Sequence, residues 1–228
     1  MDVALILLAA GSSRRFGGDI PKQYLEVAGQ CLLLHCLHAL AREPRFTMLQ
    51  PVIAADDSMY ADVIAEQTFP FKLLPSATGG GERAESMQCG LRALPDSVDW
   101  VAVHDAARPI PSQALLKQVL DMAFEHGAAV PGIAVNDTIK RIDDAGQVMQ
   151  TLDRSRLRAV QTPQVGRRDW FEDALLSAEQ LHMHTDDASL LEAAGYPVYI
   201  SEGDSMNRKI TTVEDMAWLQ RMLMEQPA

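Results

Sequence analysis

The chain has 228 residues and a formal net charge of −11 at pH 7. That length suits one α/β domain with a large core, and the negative charge argues against a nucleic-acid surface, which has to neutralise many phosphates. Three cysteines without CxxC spacing fit reduced thiols in a cytoplasmic protein, and no stretch suits a membrane span or a signal peptide.

Val3 to Ala10 is an apolar run long enough for one fully buried strand, and it stops at Gly11. Gly11, Ser12 and Ser13 leave backbone amides open to an anion, and Arg14, Arg15 and Lys22 add positive charge. Loops at the carboxyl ends of parallel strands are where open α/β sheets bind ligands, so the segment reads as a polyphosphate site. Ser13 and Phe16 break the dinucleotide fingerprint, and Phe16 and Gly17 break the P-loop pattern. An ordinary βα turn with surface arginines fits the same residues, and the stretch alone does not decide between them.

Leu32 to Arg42 has helical character and is ended by Pro44; Leu49 to Ala55 reads as a second buried strand. Ser58 is placed to cap a helix through Gln67, and Phe71 to Leu74 makes a third strand. This alternation predicts a doubly wound, mostly parallel sheet of the Rossmann-like α/β class. A glycine-rich loop, Thr78 to Arg83, then opens a helix to Ala93, and such a helix start offers N–H groups to an anion or a base edge. Trp100 to His104 is the next strand. Asp105 at its carboxyl end suits a cation or a ribose hydroxyl, or else bonds loop amides and pairs with Arg108. Leu115, Leu116, Val119, Leu120, Ala123 and Phe124 share one helix face.

From Asp137 the pattern changes. Thr138 to Ile142 and Val148 to Leu152 flank a turn at Asp143-Asp144-Ala145-Gly146, which predicts a hairpin. A lone hairpin is marginal in water, so a partner subunit is expected to cover it. Asp153, Arg154, Arg156 and Arg158 follow, either as a charged site or as a solvated strand edge. The last third returns to α/β: a helix from Arg168 to Gln180, one from Thr185 to Ala194 with acidic residues in its first turn, a strand from Val198 to Ser201, and a helix capped by Thr212. The division expected is one domain over residues 1–228, with 137–158 as a β-arm excursion used in dimerisation. His35 and His38 near Cys31 and Cys36 read as helix residues with no metal role.

Taken in order, LAAGSSRRF at 8–16, PKQ at 21–23, GGGERAESM at 79–87, VHDAARP at 103–109, NDTIKR at 136–141, DR at 153–154, TPQ at 162–164 and TDDAS at 185–189 resemble the 2-C-methyl-D-erythritol 4-phosphate cytidylyltransferases of non-mevalonate isoprenoid synthesis. The resemblance implies transfer of a cytidylyl group from CTP to methylerythritol phosphate with release of pyrophosphate, a requirement for Mg²⁺, and a homodimer whose arm reaches into the neighbour's site. Arg15 and Lys22 would stabilise the transition state on the triphosphate. Arg154, Thr138, Lys209 and Arg108 would hold the acceptor, with Arg154 and Thr138 coming from the partner. Ala9, Ala10, Gly81 and Ser86 would face cytosine, with Gly11, Ser12 and Gly80 beside the nucleotide and Asp105 near the ribose and metal.

Ser13 stands where the family commonly has Gly, Arg208 where it has Ile, and Met206 where some members carry Asp. A stand-alone enzyme is expected rather than a fusion. The alternative acceptor is another polyol phosphate, ribitol 5-phosphate above all. A phosphomonoester with a second pKa of about 6 is already a nucleophile at neutral pH and needs no general base, so fixed cations are expected to do the catalysis.

Overall fold

A computed structural model of the protein describes residues 2–11, 20–178 and 180–225. Its centre is β1 (Val3–Leu8), in which every side chain is apolar because both edges and both faces are covered. Short β2 (Glu26–Val27) and β3 (Gln30–Cys31) form a separate hairpin that leads into α1 (Leu32–Leu40). Next come β4 (Phe46–Ile53), α2 (Tyr60–Ile64), β5 (Lys72–Leu73), β6 (Ala77–Thr78), α3 (Arg83–Ala93), β7 (Trp100–Asp105), α4 (Gln113–His126) and β8 (Ala128–Ala134). The remaining elements are β9 (Lys140–Ile142), β10 (Val148–Thr151), β11 (Arg158–Val160), β12 (Gln164–Arg167), α5 (Arg168–Ser177), α6 (Asp187–Ala193), β13 (Tyr199–Glu202) and α7 (Val213–Glu225).

The main sheet runs β11-β8-β12-β7-β1-β4-β5, with β13 beside β8 and β6 beside β4. β1 is parallel to β4 and β7, β4 to β5 and β6, and β13 to β8; β12 and β11 are antiparallel insertions. Side chains of β1 alternate between two cores. Val3, Leu5 and Leu7 meet Leu33, Leu37 and Leu40 of α1 and Leu116 and Leu120 of α4, whereas Ala4 and Ile6 meet Met87 and Leu91 of α3 and Phe171 of α5. Helices therefore cover both faces, as the alternation predicts. After β1 the chain winds toward β4, and after β7 it winds the other way, so a crevice opens between the carboxyl ends of these two neighbours.

Caps explain most helix boundaries. Ser112 Oγ accepts from Leu115 N at the start of α4, and Thr212 Oγ1 accepts from Asp215 N in α7 while Asp215 Oδ2 accepts from Thr212 N. Gly127 ends α4 at φ 96°, and a Cβ there would lie 2.0 Å from the Trp170 ring, so only glycine fits. One capping expectation fails: Asp57, not Ser58, accepts from Met59 N and Tyr60 N, and the helix it precedes is only Tyr60–Ile64. The expected strand at 71–74 is just Lys72–Leu73, and helix α5 stops at Ser177 rather than Gln180.

The hairpin of β9 and β10 stands away from the main sheet and is exposed along its length, with Ile142, Val148 and Met149 open to solvent. That apolar surface on the protruding ribbon is left unburied within the single chain.

Candidate active site

The crevice between β1 and β7 is a cleft of about 500 Å³. One wall is the end of β1, where Ala9, Ala10 and Gly11 present almost no side-chain bulk. The facing wall is the glycine loop and first turn of α3, with Gly80, Gly81 and Ser86 on the lining. Gly80 N donates to Ser86 Oγ at 3.2 Å, and Gly81 N and Glu82 N both donate to Glu85 Oε2, at 2.8 and 3.2 Å. This capping box folds the loop onto its own helix. A Cβ on Gly80 would sit 2.4 Å from that of Glu85, which is why the position has no side chain.

Cations close the cleft. Lys22 follows Pro21 at the start of a 3₁₀ turn, and its Nζ donates to Ile210 O at 3.0 Å. Gln23 Nε2 donates to Ala9 O at 3.0 Å, so the turn is fastened to the end of β1. Lys209 reaches in from the segment before α7 and donates to Asp105 Oδ2 at 2.6 Å. The other oxygen of Asp105 accepts from Arg83 Nε at 3.1 Å. Burial alone would raise the Asp105 carboxyl, but the Arg83 guanidinium and the Lys209 ammonium outweigh it and hold the group well below the usual carboxylate range.

Asp105 is not paired with Arg108. The Arg108 guanidinium turns to backbone instead, donating to Asn207 O at 2.8 Å and Val160 O at 3.4 Å, so it braces the segment that carries Lys209 rather than lining the cleft. Behind Asp105, His104 is fully buried; its Nε2 donates to Arg108 O at 3.0 Å, which leaves Nδ1 to accept from Thr162 Oγ1 at 3.0 Å. Thr162 Oγ1 in turn accepts from Asp105 N at 3.2 Å. Burial pushes the His104 imidazole down to about 4, so the ring is neutral at pH 7. These bonds tie the Thr162-Pro163-Gln164 segment to the end of β7.

Thus Ala9, Ala10, Gly11, Lys22, Gly80, Gly81, Ser86, Asp105 and Lys209 meet in one cleft. Arg154 and Thr138 are on the exposed arm and do not line it; Arg154 Nη1 donates to Asn136 O. Arg15 and Ser12 lie outside the described residues. Two contributors escape a reading of the sequence alone. Arg83 forks onto Asp187 Oδ1 and Oδ2 at 2.8 and 2.9 Å, joining the first residues of α3 and α6 beside the cleft. Both sit inside motifs quoted above, but nothing local reveals that they pair.

Among the described residues no group of three or more His, Cys, Asp or Glu side chains could hold a metal. His35 is instead hydrogen-bonded to Gln30 Nε2 at 2.8 Å and Val27 O at 2.7 Å, and burial pushes the Cys36 thiol up. Asp105 lines the cleft, but both of its oxygens are already in ion pairs, so a hard cation entering here would have to complete its shell with phosphate and water oxygens.

Known proteins are similar to this chain over most of its length. The family model described as 2-C-methyl-D-erythritol 4-phosphate cytidylyltransferase matches residues 3–225. A bifunctional enzyme IspD/IspF of Nitrobacter winogradskyi is 43% identical over 93% of this chain, which spans only 53% of that relative's length. A 2-C-methyl-D-erythritol 4-phosphate cytidylyltransferase of Geobacillus kaustophilus is 38% identical over 98% of this chain and 97% of its own. Among solved structures, the 4-diphosphocytidyl-2C-methyl-D-erythritol synthase of Anaerococcus prevotii superposes with a TM-score of 0.85 at 26% identity, covering 98% of this chain and 99% of that one. The Thermus thermophilus 2-C-methyl-D-erythritol 4-phosphate cytidylyltransferase superposes with a TM-score of 0.78 at 30% identity, covering 98% and 100%. With sequence match and fold in agreement, the chain belongs to the 2-C-methyl-D-erythritol 4-phosphate cytidylyltransferase family.

Proposed function

We propose that the protein transfers the cytidylyl group of CTP to the phosphate of 2-C-methyl-D-erythritol 4-phosphate, giving 4-diphosphocytidyl-2-C-methyl-D-erythritol and pyrophosphate in isoprenoid biosynthesis. The cleft supports this most directly: small residues and a glycine loop line a slot for a flat base, and Lys22 and Lys209 flank it in a chain that is otherwise strongly acidic. The acceptor phosphate needs no base at neutral pH, so the work left to the protein is to offset repulsion between two anions. Lys22 supplies a compact charge for the triphosphate, with Arg15 as its partner in sequence. Lys209 would take the acceptor phosphate, and Arg108 braces its segment.

Mg²⁺ would be held chiefly by phosphate and water oxygens beside Asp105, because both oxygens of that carboxylate are already paired with Arg83 and Lys209. When bound, the ion would neutralise charge on the leaving pyrophosphate. The exposed arm supports a homodimer in which Arg154 and Thr138 serve the neighbouring cleft. Replacing Met149 and Val148 by serine should then shift the protein toward monomer in analytical ultracentrifugation and raise the acceptor KM; an unchanged dimer would remove the arm from the interface.

No helix among the described residues is long and apolar enough to cross a membrane, and Cys31, Cys36 and Cys89 are free thiols, which supports a cytoplasmic site of action. Pyrophosphate release measured with CTP and each polyol phosphate tests the substrate assignment. Turnover confined to methylerythritol phosphate is expected; faster turnover of ribitol 5-phosphate would overturn it.

A further inference from the structure

Arg83 is the first residue of α3, and its side-chain hydrogen bonds go to carboxylates: two N–H groups fork onto Asp187 at 2.8 and 2.9 Å and Nε donates to Asp105 Oδ1 at 3.1 Å. The fork is firmly seated. The Asp187 side chain is 2% exposed, and it opens a helix whose preceding residue, Asp186, caps Ser189 N at 2.9 Å and accepts from Gln164 Nε2 at 3.0 Å. Gln164 Oε1 accepts from Ala188 N at 2.8 Å, which pins α6 to β12. Arg83 is thus held from behind, and its remaining donor edge is given to Asp105.

The carboxylate of Asp105 is divided between two cations, Oδ1 to Arg83 and Oδ2 to Lys209 at 2.6 Å. Of the two, Lys209 is the more exposed, with 40% of its side chain open against 25% for Arg83. We infer that Arg83 is a positioning residue for the acceptor half of the site: by occupying one oxygen of Asp105, it weakens that carboxylate's hold on Lys209 and leaves the ammonium ready to pass to an incoming phosphate. This rests on the assignment of Lys209 to the acceptor. The physics is competition for one anion. A carboxylate already neutralised on one side attracts a second cation less, and the two cations repel each other. Without the guanidinium, Asp105 has Lys209 as its one short-range cationic partner among the described residues, and a phosphate has to displace a tighter pair.

Steady-state kinetics of Arg83→Gln, Asp105→Asn and the double variant test this. The acceptor KM of Arg83→Gln rises about fivefold or more, in the range of ordinary site-to-site coupling, while the KM for CTP stays within about twofold. In the Asp105→Asn background the same change leaves the acceptor KM unaltered, because there is no carboxylate left to share. A merely structural role would read differently: α3 carries Ser86 and follows Gly80 and Gly81, so a loosened helix weakens CTP. An effect on the CTP KM, or an equal effect in both backgrounds, overturns the inference.

If circular dichroism finds Arg83→Gln unfolded, Arg83→Lys replaces it, with a smaller shift in the same direction expected and a shift on CTP decisive against. If the wild type releases no pyrophosphate with any polyol phosphate, the functional assignment fails on its own. Calorimetric binding of inorganic phosphate to wild type and Arg83→Gln then tests the sharing directly, and equal affinities overturn it.

Discussion

Arg208 Nη2 meets Asp215 Oδ1 at 2.6 Å, and the same guanidinium lies 5.5 Å over the Trp218 ring. This joins the residue next to Lys209 to α7, where Asp215 Oδ2 already accepts from Thr211 N, Thr211 Oγ1 and Thr212 N. The arginine that departs from the family's usual isoleucine is therefore a second fastening for the segment that carries Lys209. Arg208 is half exposed and the pair is screened. Arg208→Ala should cost about 0.5–1 kcal/mol in a urea melt and raise the acceptor KM about two- to threefold with kcat nearly unchanged. A kcat loss larger than the KM change would mean that Arg208 acts on the chemistry itself.

Lys22→Ala and Arg15→Ala should each lower kcat by about 10²–10³, the usual cost of one preorganised charge, with the protein still folded by circular dichroism. Arg154→Ala should act mainly on the acceptor KM. Near-normal turnover of either of the first two variants would strip that residue of its role, and a KM change confined to CTP would do the same for Arg154.

His104 makes stability depend on pH in a definite direction. Burial lowers its folded pKa to about 4 from an unfolded value of 6.5, so between these values the unfolded chain binds the extra proton. The stabilisation from keeping the ring neutral is complete above pH 6.5 and is lost as pH falls toward 4, by about 3 kcal/mol in all. Urea midpoints should therefore fall from pH 7 to pH 5 in the wild type, and less steeply in His104→Gln. Equal slopes in the two proteins would place the titration elsewhere.

Gly127→Ala should destabilise by about 2–4 kcal/mol, because the new methyl meets the Trp170 ring as well as an unfavourable φ. Gly195 has a similar φ of 86° but open space around it, so Gly195→Ala should cost only about 1 kcal/mol. Thermal denaturation of the two variants separates backbone strain from crowding, and equal costs would contradict the crowding at Trp170.

What could be read from the residues depended on how local its cause is. β1 was legible because a strand covered on both faces has to be apolar throughout, and the arm because its turn residues lie next to one another. β12 was hidden: Gln164-Val-Gly-Arg167 is four residues with no clear period, and its antiparallel place between β7 and β8 is a tertiary fact. The acidic residues opening α6 fit a helix dipole equally well as solvated charges, yet Asp187 is buried against Arg83, 104 positions away. Ser58 and Asp57 are both good caps, and only the backbone path chose between them. The cleft lining was found where motifs mark strand ends, and the ion pair behind it was missed because each partner is unremarkable alone.

The bond from Lys22 to the carbonyl of Ile210 spans 188 positions, and Lys209 beside it answers to Asp105. A growing polypeptide that has left the ribosome only as far as β13 has its sheet and both slot walls, but no terminal segment to fasten the first lysine or supply the second. Ligand-binding competence should consequently arrive late in synthesis, after the sheet has formed, rather than build up gradually with length.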